Sequence, residues 1–311
     1  MKLVFCGTPR FAVPTLEALI AAGHEIALVV SQPDRPAGRT QQLTAPPVKE
    51  TALAAGLDVT QPEKIKNNVE FRERLEAIAP DAIVVVAYGR IIPPWMLALP
   101  RLGCINLHAS LLPKYRGAAP IQWAVAMGET VTGNTTMLLE EGLDTGPILL
   151  QREIPISTEQ TAADLFNVLA KDGAPLVVET LAGLNAGTIK PKLQDHTRAT
   201  LAPILDREDG RMDFAARTAT ELWNRWRGFQ PWPGAYTTLE GKKLIAHQMR
   251  VVAKTAESEA GTVDLRDHRL QVACAQNTWI EITELQLEGK KRMAASDFLR
   301  GAGLRSGIRL G

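Results

Sequence analysis

The run Asp81–Ala87, whose apolar part reads Ala-Ile-Val-Val-Val-Ala, is the feature that most constrains the fold of this chain. A short, continuous run of apolar and β-branched residues is typical of a strand buried on both faces, as at the centre of a parallel sheet. The start of the chain is similar, because Lys2–Cys6 and Glu25–Val30 have strand patterns and a helix pattern between them ends near Gly23. A strand–helix–strand opening favours a parallel sheet. We therefore predict an α/β fold that begins with a Rossmann-like, mostly parallel sheet.

The last third of the chain has a different pattern. From Leu205 onward, short apolar runs alternate with Gly, Asp and Asn, which is typical of a small β-barrel. A length of 311 residues also favours about two domains. We therefore predict an N-terminal domain over residues 1–189, a polar linker over 190–204 and a C-terminal β-barrel over 205–311. A dinucleotide site is not expected, since a single glycine, Gly7, follows the first strand and the G-x-G-x-x-G spacing is missing.

Composition limits the partners and the compartment. The formal net charge is +1, so the whole chain shows no bias toward nucleic acid, although Lys and Arg outnumber Asp and Glu by 17 to 14 from Leu205 onward. Cys6, Cys104 and Cys274 lie far apart and match neither a metal-binding nor a disulfide spacing. We expect reduced, buried thiols, no metal, no signal peptide and no membrane span, and hence a cytoplasmic protein.

Polar side chains lie within and directly after the strand pattern Cys104–His108. Side chains on a strand alternate between its faces, so Asn106 and His108 are predicted to share one face. Ligands of open α/β sheets bind outside the carboxyl ends of the strands. The chain then continues through a loop that carries Ser, Lys, Tyr and Arg and ends at Gly117. This stretch is therefore predicted to be a substrate-binding loop.

An acidic residue downstream changes how His108 is interpreted. A single histidine near a strand end is more often a structural residue than a catalytic one. Asp144, however, lies on a turn between two glycines, 36 residues after His108, and the chain could return there to the same edge of the sheet. An amide, an imidazole and an orienting carboxylate form an acid–base set.

These residues together resemble the active site of the folate-dependent formyltransferases. The match extends from the turn after the first strand into the last third of the chain, and the combined motif is far more specific than any single piece. The pieces are Gly7-Thr-Pro9, Asn106-x-His108, Ser110-Leu-Leu-Pro113-x-x-Arg116-Gly117, Asp144 and Phe229-Gln-Pro-Trp-Pro-Gly-Ala235.

The resemblance implies a reaction and a domain arrangement. The reaction is transfer of a formyl group from the co-substrate 10-formyltetrahydrofolate to the α-amine of initiator methionyl-tRNA, without a metal, by an enzyme that we expect to be a monomer. Asn106, His108 and Asp144 are the implied catalytic residues. Residues 1–189 would form the formyltransferase domain, and residues 205–311 would form an OB-like barrel that touches tRNA.

The resemblance also implies two sets of binding residues. The folate-binding set is Tyr88, Gly89, Arg90, Ile91, Ile92, Ser110, Leu111, Leu112 and Pro113. In this family an arginine at the position of Arg39 contacts the acceptor end of the tRNA. Gln41 and Gln42 stand where other members carry lysines, so a weaker grip on phosphate is expected here. The tRNA-binding set is Arg35, Arg39, Lys242, Lys243, Lys290, Lys291 and Arg292.

Several alternatives stay open at the level of sequence. A formyltransferase for an amino-sugar nucleotide can share both the Pro-Trp-Pro-Gly motif and the barrel. One for glycinamide ribonucleotide usually lacks the barrel. A hydrolase that releases formate would share the site but not need the loop that carries Arg35 and Arg39. A non-catalytic RNA-binding protein would keep the fold without turnover, and the near-neutral net charge speaks against it.

Overall fold

The computed structural model describes residues 1–37, 42–302 and 304–311, and the chain divides into two compact units. The first unit comprises Met1–Pro120, Val131–Pro155 and Leu165–Pro203, and the second comprises Ile121–Thr130, Ile156–Asp164 and Ile204–Gly311. Of the predicted linker, residues 190–204, all but Ile204 lie in the first unit. The domain limits proposed from sequence stay a prediction.

The first unit is built on a mostly parallel sheet. In the described part of the chain the sheet has seven strands in the order β5-β2-β1-β6-β7-β8-β9. The strands are β1 (Lys2–Gly7), β2 (Glu25–Val30), β5 (Val59–Thr60), β6 (Ala82–Val86), β7 (Cys104–His108), β8 (Val131–Leu138) and β9 (Ile148–Pro155), and a separate hairpin pairs β3 (Arg35–Ala37) with β4 (Gln42–Thr44). The pairs β5–β2, β2–β1, β1–β6 and β6–β7 are parallel, whereas β7–β8 and β8–β9 are antiparallel.

The central strands form because their side chains are apolar on both faces. All five residues of β6 are buried, as the continuous apolar run predicted. A core cluster beside this strand joins β1, β2 and β6 to the helix that carries Phe71 and Leu75. Burial on both faces leaves the strand ends, and the loops that follow them, as the places where polar side chains can gather.

Eight α-helices lie in the described ranges. They are α1 (Val13–Ala21), α2 (Pro47–Ala54), α3 (Val69–Ile78), α4 (Pro94–Leu97), α5 (Pro120–Ala126), α6 (Ala162–Ala186), α7 (Ala219–Gly228) and α8 (Ala295–Ala302). α6 is capped at its start, because the Asp164 carboxylate accepts from the Thr161 backbone at 2.9 Å and the Thr161 hydroxyl accepts from the Asp164 backbone at 3.3 Å. The sequence pattern did not indicate α4 and α8.

The second unit carries an antiparallel sheet of six strands in the part of the chain that is described. The strands are β10 (Tyr236–Leu239), β11 (Lys242–Val252), β12 (Val263–Asp264), β13 (Leu270–Ala273), β14 (Trp279–Leu287) and β15 (Met293–Ala294), and β15 pairs with β14. Inward-facing Leu244, Ile280 and Ile282 pack with α7 and α8 into one apolar core. The predicted α/β class, with a mostly parallel sheet followed by a β-rich domain, is confirmed.

Two further expectations concern the cysteines and membrane-spanning helices. Cys6, Cys104 and Cys274 are buried and form no disulfide, as predicted. Across the described ranges, no helix combines the length and the apolar character needed to cross a membrane.

Candidate active site

Asn106 and His108 lie on β7 in the interior of the first sheet. Asn106 is opposite Val85 of β6 and Met137 of β8, and His108 is opposite Thr135. Because the two residues are separated by one position, their side chains share a face of the sheet. The Asn106 side chain is only partly buried and forms no hydrogen bond with another described residue. Its amide is therefore available to donate to a ligand.

The His108 ring is held between two oxygen atoms. Its Nε2 lies 2.8 Å from the carbonyl oxygen of Tyr115, and its Nδ1 lies 3.7 Å from Oδ2 of Asp144. A carbonyl oxygen only accepts hydrogen bonds, so the proton of the neutral imidazole is on Nε2. Nδ1 is then the nitrogen that can accept a proton, and a carboxylate faces it. The ring is buried, with 6% of the residue exposed.

Asp144 reaches His108 by a route that the sequence did not indicate. Since β8 runs antiparallel to β7, Leu138 at its end pairs with Ile105, and the turn that follows starts near the amino end of β7. His108 lies about 10 Å further along at roughly 3.3 Å per residue. The turn 139–147 must therefore fold back to place Asp144 beside the imidazole. Asp144 has a positive φ of 51°, and its Oδ2 accepts a hydrogen bond from the Gly117 backbone at 2.8 Å.

The loop after β7 is fixed by one buried and one exposed side chain, Thr135 and Gln151, that sequence reasoning missed. The Thr135 hydroxyl donates to the Ser110 carbonyl at 2.6 Å and accepts from the Leu112 backbone at 3.1 Å. Gln151 donates to the Leu112 carbonyl at 2.9 Å. Neither residue has a local sequence signal, because Thr135 lies opposite His108 only through the antiparallel pairing of β8 with β7.

The predicted folate-binding residues divide into exposed and buried ones. Tyr88, Ile92, Ser110 and Leu112 are buried, and the Ser110 hydroxyl donates to the Lys114 carbonyl at 2.7 Å. Arg90 donates to Gln32 Oε1 at 3.0 Å and to the Glu63 carbonyl. Gly89 and Ile91 are exposed, while Leu111 and Pro113 are partly buried. The segment after β6 therefore presents the exposed backbone of Gly89 and the side chain of Ile91, which is 89% exposed.

Burial keeps two ionisable side chains of this sheet and its loops protonated at neutral pH. Burial raises the pKa of the Cys104 thiol to about 12. Burial also raises the pKa of the Tyr88 phenol above its usual value. Within the described ranges, no three His, Cys, Asp or Glu side chains are close enough together to hold a metal ion.

The predicted tRNA-binding residues lie at separate places. Arg35 lies on the β3–β4 hairpin, with its guanidinium 3.9 Å from Glu63, whereas Arg39 is outside the described residues. Four of the five lysines of the second unit lie at one end of its sheet, because β11 begins where β14 ends and the Glu288 backbone donates to the Lys243 carbonyl at 2.8 Å. The exposed side chains at this end include two acidic ones, Glu240 and Glu288, beside the predicted cations Lys242, Lys243, Lys290, Lys291 and Arg292. The Arg292 Nε donates to Glu284 at 2.6 Å, and the Lys243 ammonium lies 3.8 Å from the centre of the Tyr236 ring.

The chain matches two protein-family models along most of its length. Residues 1–181 match a family described as formyl transferase, and residues 204–303 match one described as formyl transferase, C-terminal domain.

Named relatives are similar over the full chain. A methionyl-tRNA formyltransferase from Acidobacterium capsulatum is 68% identical and is covered over 100% of both chains. One from Koribacter versatilis is 60% identical over 100% of this chain and 99% of its own. Among solved structures, an N-formyltransferase from Helicobacter canadensis, in complex with folinic acid and dTDP-3-aminofucose, shares the fold with a TM-score of 0.65. It is 18% identical, and the match covers 91% of this chain and 98% of that one.

Proposed function

Because the chain belongs to the formyl transferase family, we propose that it transfers a formyl group from 10-formyltetrahydrofolate to the α-amino group of initiator methionyl-tRNA. The product, N-formylmethionyl-tRNA, serves translation initiation. The observation that carries this acceptor is the identity of 60% or more, over the whole chain, with two relatives that bear that activity in their names. The amino-sugar acceptor of the Helicobacter canadensis structure belongs to a protein that is related in fold alone.

Asn106 is proposed to stabilise the charge that develops during transfer. When bound, 10-formyltetrahydrofolate supplies the formyl carbon that the amine attacks, and negative charge grows on the formyl oxygen. The Asn106 amide, on the face of β7 that His108 shares, has no competing hydrogen bond among the described residues. A preorganised donor of this kind is worth roughly 2.7–4 kcal/mol in acyl transfer.

His108 and Asp144 are proposed to move the proton. The attacking amine must lose a proton, and the nitrogen that leaves must gain one. Nδ1 of His108 is the ring atom that can accept the first proton, because the Tyr115 carbonyl holds the other on Nε2. The Asp144 carboxylate, 3.7 Å away, attracts the proton that arrives at Nδ1 and keeps the ring oriented. Positioned acid–base groups contribute typically 10²–10⁴-fold in rate.

The surface after β6 fits the flat ring of a folate. Ile91 is an isolated apolar side chain, 89% exposed, and Leu143, next to Asp144, is 62% exposed. Covering such side chains with a heteroaromatic ring removes apolar surface from water, which is favourable. Ile91, Gly89, Leu111 and Pro113 would hold the ring through side chain and backbone. The buried Tyr88, Ile92, Ser110 and Leu112 would shape the wall behind it, and Arg90 would tether its loop.

Contacts with tRNA are proposed at two places. Arg35, with the loop that also carries Arg39, would face the acceptor end. The cluster Lys242, Lys243, Lys290, Lys291 and Arg292 would contact the phosphate backbone, since cations gathered on one surface bind phosphate through counterion release. We also propose that the enzyme works as a monomer in the cytoplasm, and the free, buried thiols agree with a reducing compartment.

A competition between acceptors tests this function. The protein is given 10-formyltetrahydrofolate with methionyl-tRNA, an amino-sugar nucleotide and glycinamide ribonucleotide, and uncharged tRNA serves as the control. We expect formylation of methionyl-tRNA alone, in amounts that follow the charged fraction. Transfer to either nucleotide in preference to methionyl-tRNA would contradict the proposed acceptor while leaving the catalytic residues in place.

A further inference from the structure

The segment after α6 packs along the loop that follows β7. The Thr200 carbonyl accepts from the Arg116 backbone at 2.9 Å, and the Thr200 hydroxyl accepts from the Tyr115 backbone at 2.9 Å. The Ala202 backbone donates to the Arg116 carbonyl at 2.7 Å. A side chain at Gly117 would meet the Ala202 carbonyl at 2.6 Å, and the φ of Gly117 is +120°, so this close approach requires glycine. The peptide carbonyl that accepts from the catalytic imidazole is thereby held in place.

Gln194, on the same segment, joins this loop to the acid turn. Its Nε2 donates to the Asp144 carbonyl at 2.9 Å and to the Gly146 carbonyl at 2.7 Å. Its Oε1 accepts from the Arg116 guanidinium at 3.2 Å and 2.7 Å. These four bonds use both donors and both lone pairs of the amide. The Gln194 side chain is buried, with 6% of the residue exposed, and Arg116 is 7% exposed.

The acid turn depends on hydrogen bonds for its shape: besides the bonds from Gln194, the Thr145 hydroxyl donates to Glu140 at 2.6 Å and the Gly117 backbone donates to Asp144. Glu141, Gly142 and Leu143 are exposed, so the turn has little core packing at its tip. The backbone of Asp144 is in the left-handed region, which costs an L-residue free energy that neighbouring hydrogen bonds must offset. Strand pairing does not position this residue either, since β8 leaves the sheet near the opposite end of β7.

We infer that Gln194 is a positioning residue for the proton-transfer pair His108–Asp144. By donating to two carbonyls of the turn while it accepts from Arg116, it keeps the Asp144 carboxylate at 3.7 Å from Nδ1 of His108. Gln194 touches no reacting atom, and its role rests on the proposed function of that pair. In metal sites, residues that orient the ligands through hydrogen bonds typically contribute 10–100-fold, and we expect an effect of that size here.

Two substitutions separate the two halves of this role. Gln194→Glu keeps oxygen atoms that can accept from Arg116, but an ionised carboxylate cannot donate to the carbonyls of Asp144 and Gly146. Gln194→Met removes both halves at nearly the same volume. Leu193→Ala is the matched control, because Leu193 is the neighbouring residue and is 81% exposed.

The readouts are kcat, KM for methionyl-tRNA and the melting temperature, measured on the full chain. We expect Gln194→Glu to lower kcat by about 10–100-fold with KM changed less than about threefold. Gln194→Met should lose at least as much, and Leu193→Ala should match the wild type. When Asp144→Asn is already present, adding Gln194→Glu should lower kcat little further, since both substitutions act on the same His108–Asp144 pair.

Several results would overturn the inference. One is a Gln194→Glu enzyme with wild-type kcat, which would mean that holding Arg116 is all that Gln194 does. Another is a double variant, Gln194→Glu with Asp144→Asn, whose loss of kcat equals the product of the two single losses. Gln194 would then act independently of Asp144. If Gln194→Glu does not fold, the same comparison is made with Gln194→Met. A wild-type enzyme that fails to formylate methionyl-tRNA would instead refute the proposed function.

Discussion

Removing the charge of Asp144 is the most informative single perturbation of the proton-transfer pair. Asp144→Asn keeps the size of the side chain and an oxygen that can accept from the Gly117 backbone. It removes the negative charge that faces the imidazole at 3.7 Å. The imidazole becomes positive only when it has taken the proton from the amine, so the lost attraction acts on the reaction and not on substrate binding.

The magnitude follows from the distance and the burial. At a separation of 3.7 Å and an effective dielectric constant of about 20, two unit charges attract by about 4.5 kcal/mol. The His108 side chain is 7% exposed and that of Asp144 is 15% exposed, so a value for a protein site is appropriate. Such an energy corresponds to about three powers of ten in rate. Full screening by bulk water would leave about 1 kcal/mol, or roughly sixfold.

Single-turnover formylation of methionyl-tRNA under saturating substrates is the assay. We expect Asp144→Asn to form product about 10²–10³-fold more slowly, with little change in KM for either substrate. Glu141→Gln is the matched control, because it removes a carboxylate from the exposed part of the same turn and should keep the wild-type rate. A loss smaller than tenfold for Asp144→Asn would refute the reasoning, since the carboxylate would then act no more strongly than a solvated charge.

Two further predictions concern the charge-stabilising amide and the stability of the second unit. Asn106→Ala should lower kcat by about 10²–10³-fold in steady-state kinetics while leaving both KM values within about threefold, and a larger change in KM than in kcat would contradict its role. Asp264 accepts hydrogen bonds from Arg266 and Lys254, and the Arg266 guanidinium in particular lowers the pKa of this carboxyl. A carboxylate with a lowered folded-state pKa stabilises the fold above its unfolded-state pKa of about 3.9 and loses that effect as the pH falls. Asp264→Asn should therefore lower the free energy of unfolding by about 1–3 kcal/mol in urea titrations at pH 7, and a difference that does not narrow below about pH 4 would argue against this cause.

Much of the fold was predictable because local patterns specify it. The limits of β7 match the prediction at both ends, and Asn106 and His108 lie on one strand face, as alternation requires. The all-apolar β6 is central, as a run buried on both faces must be. The length and periodicity of a strand or helix depend on that element alone, so they can be predicted from sequence even when the pairing of the elements is unknown.

What could not be predicted depends on contacts between distant segments. The polar, aperiodic sequence of the predicted linker, residues 190–204, does not show that Thr200 and Ala202 hydrogen-bond to the loop after β7. Glutamine is usually a surface residue, so the sequence gives no sign that Gln194 is buried between Arg116 and the Asp144 turn and hydrogen-bonds to both. The path of that turn also depends on the antiparallel pairing of β8, which no motif announces.

The rate of His108→Ala in single-turnover formylation of methionyl-tRNA tests the central claim most directly. Its circular dichroism and its affinity for folate would be measured alongside to show an intact fold. The account predicts a fall of about 10²–10⁴-fold in the rate of product formation with folate affinity changed little. A rate within about threefold of the wild type would mean that the imidazole does not move the proton, which would contradict the mechanism derived from its contacts with Tyr115 and Asp144.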